Sequence, residues 1–125
     1  MPDKKTTQVK WLPTPEDQDY PAAESYLSLV DAPDQAKGIV ARLKAAPITQ
    51  FKAKDIFRAS GLSLLGVSNS HVQKDTDKIN KSQALSPLLL VRDPANGKVV
   101  IADGYHRLCT VYQVNEDALI PCQIT

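Results

Sequence analysis

Residues 86–113 read SPLLLVRDPANGKVVIADGYHRLCTVYQ, and their pattern decides the fold. Leu88-Leu89-Leu90-Val91 is a continuous apolar run, as expected of a strand covered on both faces. Asp93-Pro94-Ala95-Asn96-Gly97 is turn chemistry. Val99-Val100-Ile101-Ala102 is a second strand, so the two predict a hairpin. Asp103 and Gly104 break that strand. A helix then runs to about Gln113 and buries Leu108, Val111 and Tyr112. Ala118 to Ile124 predicts a last strand.

Working backwards, Ser70 to about Ser82 predicts a polar helix, with only Val72 and Ile79 to bury. Ser68 and Asn69 before it are residue types that cap helices, and Leu62 to Val67 is an apolar connector. Asp55 to Ser60 predicts a short helix, with Gly61 at its C-terminal cap. Ile48 to Phe51 is a short strand. Before it, Ala36, Ile39, Val40 and Leu43 form one helical face, with Pro33 in the first turn and Pro47 past the end. Ala22, Ala23, Tyr26, Leu27 and Val30 form another, starting at Pro21. Residues 1–16 read as a flexible lead-in in which Trp11 and Leu12 alone offer apolar surface to dock. Residues 17–125 then make a single α/β (α+β) domain, a small mixed sheet flanked by helices.

The composition narrows the function. The 125 residues suit one domain, and 42% apolar content gives it a core. The net charge is +1, with 15 basic residues interspersed among 14 acidic ones. Strong DNA binding draws on a clear basic excess, so none is expected. Lys74 and Lys78 on the polar helix are offset by Asp75 and Asp77. No apolar run is long enough to span a membrane, and Met1 to Lys10 has no signal-peptide core, which points to a cytoplasmic protein. Cys109 and Cys122 are expected as reduced thiols, with no metal-binding spacing between them.

The chemistry concentrates at Ile101-Ala102-Asp103-Gly104-Tyr105-His106-Arg107, where a buried strand turns into a helix. A helix start exposes unpaired N–H groups and partial positive charge, which suits an anion. Gly104 permits a sharp turn and a close ligand approach. Asp103 is placed to cap the helix, Arg107 to grip a phosphate or carboxylate, and His106 to move a proton near neutral pH. The plainer alternative is a cap, a turn and solvated side chains.

The stretch IADGYHRL resembles the Gly-x-His-Arg box of the ParB/sulfiredoxin superfamily, which also sits at a strand-to-helix turn. The likeness extends to the strand pair SPLLLVRD and KVVIADG, the helix YHRLCTVYQ and the strand IPCQI. AKDIFRASGLSLL followed by NSHV resembles a group of small bacterial ParB-like proteins. In all, the likeness spans roughly residues 20 to 125. It implies a ParB/sulfiredoxin-like fold, and it implies that Lys54 and Arg58 border the site. Asn69 and His71, just before and at the start of the polar helix, are expected within reach of a ligand. The departures are specific. Sulfiredoxin's nucleophilic cysteine precedes the His-Arg pair, and Tyr105 stands there, so sulfinic-acid reduction is not expected. Partition proteins carry a helix-turn-helix after this module, and none is expected here.

The leading expectation is a phosphate-bearing small molecule, a nucleotide before others, held by Gly104, Tyr105, His106 and Arg107. Lys54, Arg58, Asn69 and His71 would assist. Hydrolysis or phosphoryl transfer would use His106 for the proton or phosphate and Asp103 as the accompanying carboxylate, with magnesium arriving on the nucleotide. No protein-built metal site is expected, since His71 and Asp75 at helical spacing are only two ligands. The alternative is an interaction module that keeps the fold without catalysis. The two part on whether His106 and Arg107 line one pocket.

Overall fold

The computed structural model describes residues 9–64 and 70–125. Among these the elements run α1 (Asp19–Val30), α2 (Pro33–Ala45), β1 (Thr49–Lys52), α3 (Ala53–Ser60), α4 (Ser70–Asn80), β2 (Leu88–Asp93), β3 (Lys98–Asp103), α5 (Tyr105–Val114) and β4 (Leu119–Ile124). The four strands form one sheet in the order β1-β4-β2-β3. β1 and β4 are antiparallel, as are β2 and β3, while β4 and β2 are parallel. The fold is therefore α+β with a mixed sheet, as the strand and helix order predicts.

The sheet is covered on both faces. Leu89 and Ala102 pack under α1 and α2, against Leu27, Ile39 and Leu43. Leu88, Leu90 and Ile101 face the other way, against Ile56 of α3, Ile79 of α4 and Leu108 and Val111 of α5. Successive strand side chains alternate between faces, so a strand with two covered faces must be apolar throughout. Burial of each leucine in that run contributes roughly 2 kcal/mol. A bulge between Leu89 and Leu90 shifts the register, so that Leu90 opposes Ile101 and Leu89 opposes Asp103. Such an irregularity re-aims the end of a strand, and here that end carries the motif.

α2 buries the four residues that its spacing selects, Ala36, Ile39, Val40 and Leu43. Its last turn carries Arg42 and Lys44, which suit the negative end of the helix dipole. α1 begins at Asp19 rather than Pro21. α4 buries both of its expected residues, Val72 and Ile79. It is tied to α5 by the Thr110 hydroxyl, which donates between the carbonyls of His106 (3.0 Å) and Val72 (3.3 Å). On α5 the buried residues are Leu108, Cys109, Thr110 and Val111. Tyr112 is only half-buried and rests against Phe57, with ring centroids 5.0 Å apart. The buried polar Gln123 is satisfied on both sides: it accepts from the Tyr20 hydroxyl at 2.6 Å and donates to the Ala46 carbonyl at 2.9 Å.

The stretch expected as a flexible lead-in is docked from Val9 onward. The Leu12 N–H donates to the Leu85 carbonyl and the Leu85 N–H to the Lys10 carbonyl, each at 2.8 Å. Val9 and Trp11 pack on the core. Two backbone hydrogen bonds and the covered indole surface hold the segment in place. Among the described residues no helix is long and apolar enough to cross a membrane.

Cys109 and Cys122 are both buried thiols with no disulfide between them. Burial pushes the Cys122 thiol up to about 12. Because the thiolate is the reactive form, Ellman's reagent is expected to label neither cysteine in the folded protein and both in strong denaturant. Rapid labelling of the native protein would contradict this packing.

Candidate functional site

The β3–α5 turn is built around Gly104, which stands at the N-cap of α5 with φ at 107°. A Cβ at this position would lie 2.7 Å from Leu88 Cγ and 3.0 Å from Arg107 Nη2. The position therefore needs glycine both for its backbone and for its space. No side chain caps the helix. Asp103, expected as the cap, is turned by the strand end towards Arg107 instead. Arg107 Nη2 donates to Asp103 Oδ2 at 2.8 Å and to the Pro87 carbonyl at 3.4 Å. Arg107 Nε is buried with no hydrogen-bond partner. The pair is mostly covered, with side chains 17% and 16% exposed.

α4 closes the other side. A cavity of about 200 Å³ lies between α4 and the turn, lined by Lys74, Asp75, Lys78, Asp103, Gly104, His106 and Arg107. Lys74 and Lys78 are four apart, so they share a helix face, and that face lines the cavity. The positive end of the α5 dipole also lies at this turn. Lys74, Lys78 and Arg107 thus meet Asp75 and Asp103 around one small concavity.

The expected site residues divide. Gly104, His106, Arg107 and Asp103 line the cavity. Tyr105 leans away from it: its hydroxyl donates to the Ser63 carbonyl, and its ring is tilted against His106 with centroids 5.7 Å apart. Burial, and then Cys109, push the Tyr105 phenol up. Lys54 is elsewhere. Its Nζ lies 2.7 Å from Asp117 Oδ1, and its N–H donates to the Glu116 carbonyl. These partners follow the C-terminal end of α5, about 15 Å along the helix from the motif. Arg58 is exposed on α3 and is not among the cavity-lining residues. Asn69 lies outside the described residues, as does the side chain of His71, whose backbone belongs to α4. Asp77 accepts from Gln73 Nε2 at 3.0 Å and does not line the cavity. Lys74 and Lys78, which the sequence sets on a polar helix beside Asp75 and Asp77, do line it.

One further acid belongs here. Burial raises the Asp103 carboxyl above the usual carboxylate range, Arg107 opposes that, and the charge of Asp19 raises it again. Asp19 is 6% exposed, in the first turn of α1. In the sequence it reads as an ordinary acid at a helix start. Only the packing of α1 across β3 brings it to Asp103.

Among the described residues no three His, Cys, Asp or Glu side chains come together as a metal-ligand group. Compared with family models, with curated proteins and with solved structures, the chain matches none.

Proposed function

We propose that this domain, arranged in the ParB/sulfiredoxin manner, binds a phosphate-bearing small molecule, a nucleotide before others, in the cavity between α4 and the β3–α5 turn. The observation that carries the reading is that His106 and Arg107 line one concave pocket together with Lys74 and Lys78. Cations and a helix N-terminus are the parts a phosphate site uses. A cavity of about 200 Å³ is smaller than a site that swallows a whole drug-sized ligand. It therefore takes the phosphate end of a nucleotide and leaves the base outside. A magnesium ion would arrive on the phosphates and draw its ligands from them and from water. His106 stands where a proton shuttle for hydrolysis or phosphoryl transfer is needed.

Calorimetric titration with a nucleotide panel, with and without magnesium, tests this. Saturable binding is expected, weakened about tenfold when Lys74 or Lys78 is replaced by alanine, since each removes a charge-assisted contact. Absence of binding by every nucleotide, in both conditions, would overturn it.

A further inference from the structure

The sheet face under α3 is only partly covered. Beside α3 a groove stays open, built from Phe51, Ile56, Ala59, Leu90, Val99 and Ile124. Ile56 and Leu90 are buried, while Phe51, Ala59, Val99 and Ile124 keep part of their surface exposed along it. Ile124 is fixed in the floor because the backbone pairing runs on past it. The Thr125 N–H donates to the Leu90 carbonyl at 3.2 Å, and the Arg92 N–H to the Thr125 carbonyl at 2.8 Å. An inner space of about 230 Å³ opens into an outer one of about 330 Å³, and the two share Phe51, Ala59, Val99 and Ile124. The outer space alone reaches the lower bound of small-ligand pockets, roughly 300 Å³.

The two ends of the groove carry opposite charge. Arg92 and Lys98 line the outer part, and Asp55 the inner part. Asp55 lies six positions before the α3 cap residue Gly61, about 9 Å along the helix axis. Lys98 stands opposite Asp93 in the β2–β3 register. Its stem nevertheless reaches the cap of α3, where a Cβ on Gly61 would lie 3.7 Å from Lys98 Cε. Asp93 Oδ2 accepts from Asn96 Nδ2 at 2.9 Å. Among the described residues neither Arg92 nor Lys98 has an ion-pair partner.

We propose that this groove binds a small carboxylic acid with an apolar tail, of the fatty-acid kind. The tail lies along Phe51, Val99 and Ile124, and the carboxylate sits between Arg92 and Lys98. Small-ligand pockets are mostly apolar, with a few polar groups that set the orientation. Apolar surface that is contiguous and rimmed by charge marks such grooves, whereas scattered exposed side chains do not. Charge selects the head group: two cations at one mouth hold an acid and repel an amine. Shape argues against a second copy, because an isologous contact sets one concavity against another and fills neither. The groove shares no lining residue with the cavity between α4 and the β3–α5 turn. The proposal therefore stands or falls apart from the phosphate reading.

The test titrates the full chain with decanoate, well below the concentration at which it forms micelles, and follows the methyl signals by NMR. Saturable shifts of Ile56, Leu90, Val99 and Ile124 are expected. Affinity should rise roughly fourfold for each methylene added from hexanoate to decanoate. Decyltrimethylammonium, with the same tail and the opposite charge, should bind at least about tenfold more weakly. Arg92 and Lys98 are exposed, so replacing both with glutamine leaves the fold intact. Arg92→Gln with Lys98→Gln should weaken decanoate about tenfold, each charge at an exposed site giving about threefold, and leave decanol unchanged. Ala59→Phe fills the groove and should abolish binding of both.

The proposal is overturned if decanoate gives no saturable shift, if the cationic analogue binds equally well, or if the shifts fall outside the groove. A concentration-dependent dimer that hides Val99 and Ile124 in the free protein would assign the face to a second copy. An acidic apolar peptide that binds there when decanoate does not would assign it to a protein partner. Either result also overturns the proposal. Should Ala59→Phe fail to fold, the head-group comparison and the double variant decide.

Discussion

Replacing Gly104 with alanine is expected to lower the unfolding free energy by about 3 kcal/mol and to abolish the anion binding proposed for the cavity. Two costs add. The backbone holds φ at 107°, where a Cβ meets its own neighbouring peptide groups, at a cost of roughly 1–2 kcal/mol. The added carbon also lies 2.7 Å and 3.1 Å from Leu88 Cγ and Cδ1. Leu88 is fully buried between the sheet and the helices, so it has nowhere to go. Overpacking of that kind costs roughly 1–3 kcal/mol. The third neighbour is Arg107 Nη2 at 3.0 Å, so relief on that side moves the guanidinium off Asp103. Urea unfolding provides the check: the midpoint should drop at an unchanged slope. A loss below about 1 kcal/mol would mean that the turn accommodates a side chain.

The second large effect is expected from Asp103→Ala. Removing this carboxyl leaves the Arg107 guanidinium, already without a partner for Nε, facing the Pro87 carbonyl at 3.4 Å as its one acceptor among the described residues. Breaking a fully buried pair costs about 3–5 kcal/mol. The 17% exposure of Arg107 lets water take up part of that, which brings the expected loss to about 2 kcal/mol. Asp103→Asn keeps an acceptor oxygen for Arg107 and should lose about 1 kcal/mol. The contrast between the two variants, measured in the same denaturant series, isolates the ion pair from the loss of bulk. If both cost the same, Arg107 does not depend on that oxygen.

The parts of this chain that were legible in the sequence are those set by local rules. Ala36, Ile39, Val40 and Leu43 recur at helical spacing and are buried together. Leu88 to Leu90 lacks alternation because both faces of its strand are covered. Even the sparse α4 showed its two buried residues, Val72 and Ile79, seven positions apart. What was not legible depends on which elements lie against which. The resemblance puts Lys54 and Arg58 at the site, but α3 packs so that Lys54 meets Glu116 and Asp117 beyond the far end of α5. The sequence leaves the polar helix of Lys74 and Lys78 either exposed or facing a ligand, and the docking of α4 beside α5 turns the two lysines to the cavity. Asp19 gave no sign of burial, because an acid at a helix start is ordinarily exposed. Its side-chain partner, the Ser86 hydroxyl, is 67 positions away in the chain. Asp103 was expected to cap α5, yet the bulge in the hairpin and the reach of Arg107 claim it first.

The position of β4 has a consequence for how the molecule is made. The last strand in sequence is the one inserted between β1 and β2. On the ribosome, β1 and the β2–β3 hairpin emerge first, and their facing edges have no partner. Those edges stay open until Leu119–Ile124 has cleared the exit tunnel. Unpaired edges of nascent sheets are where chains stick to one another. Translation arrest or proteolytic clipping just upstream of Leu119 would therefore split the sheet down its middle. The product would be an adhesive fragment rather than a slightly trimmed domain.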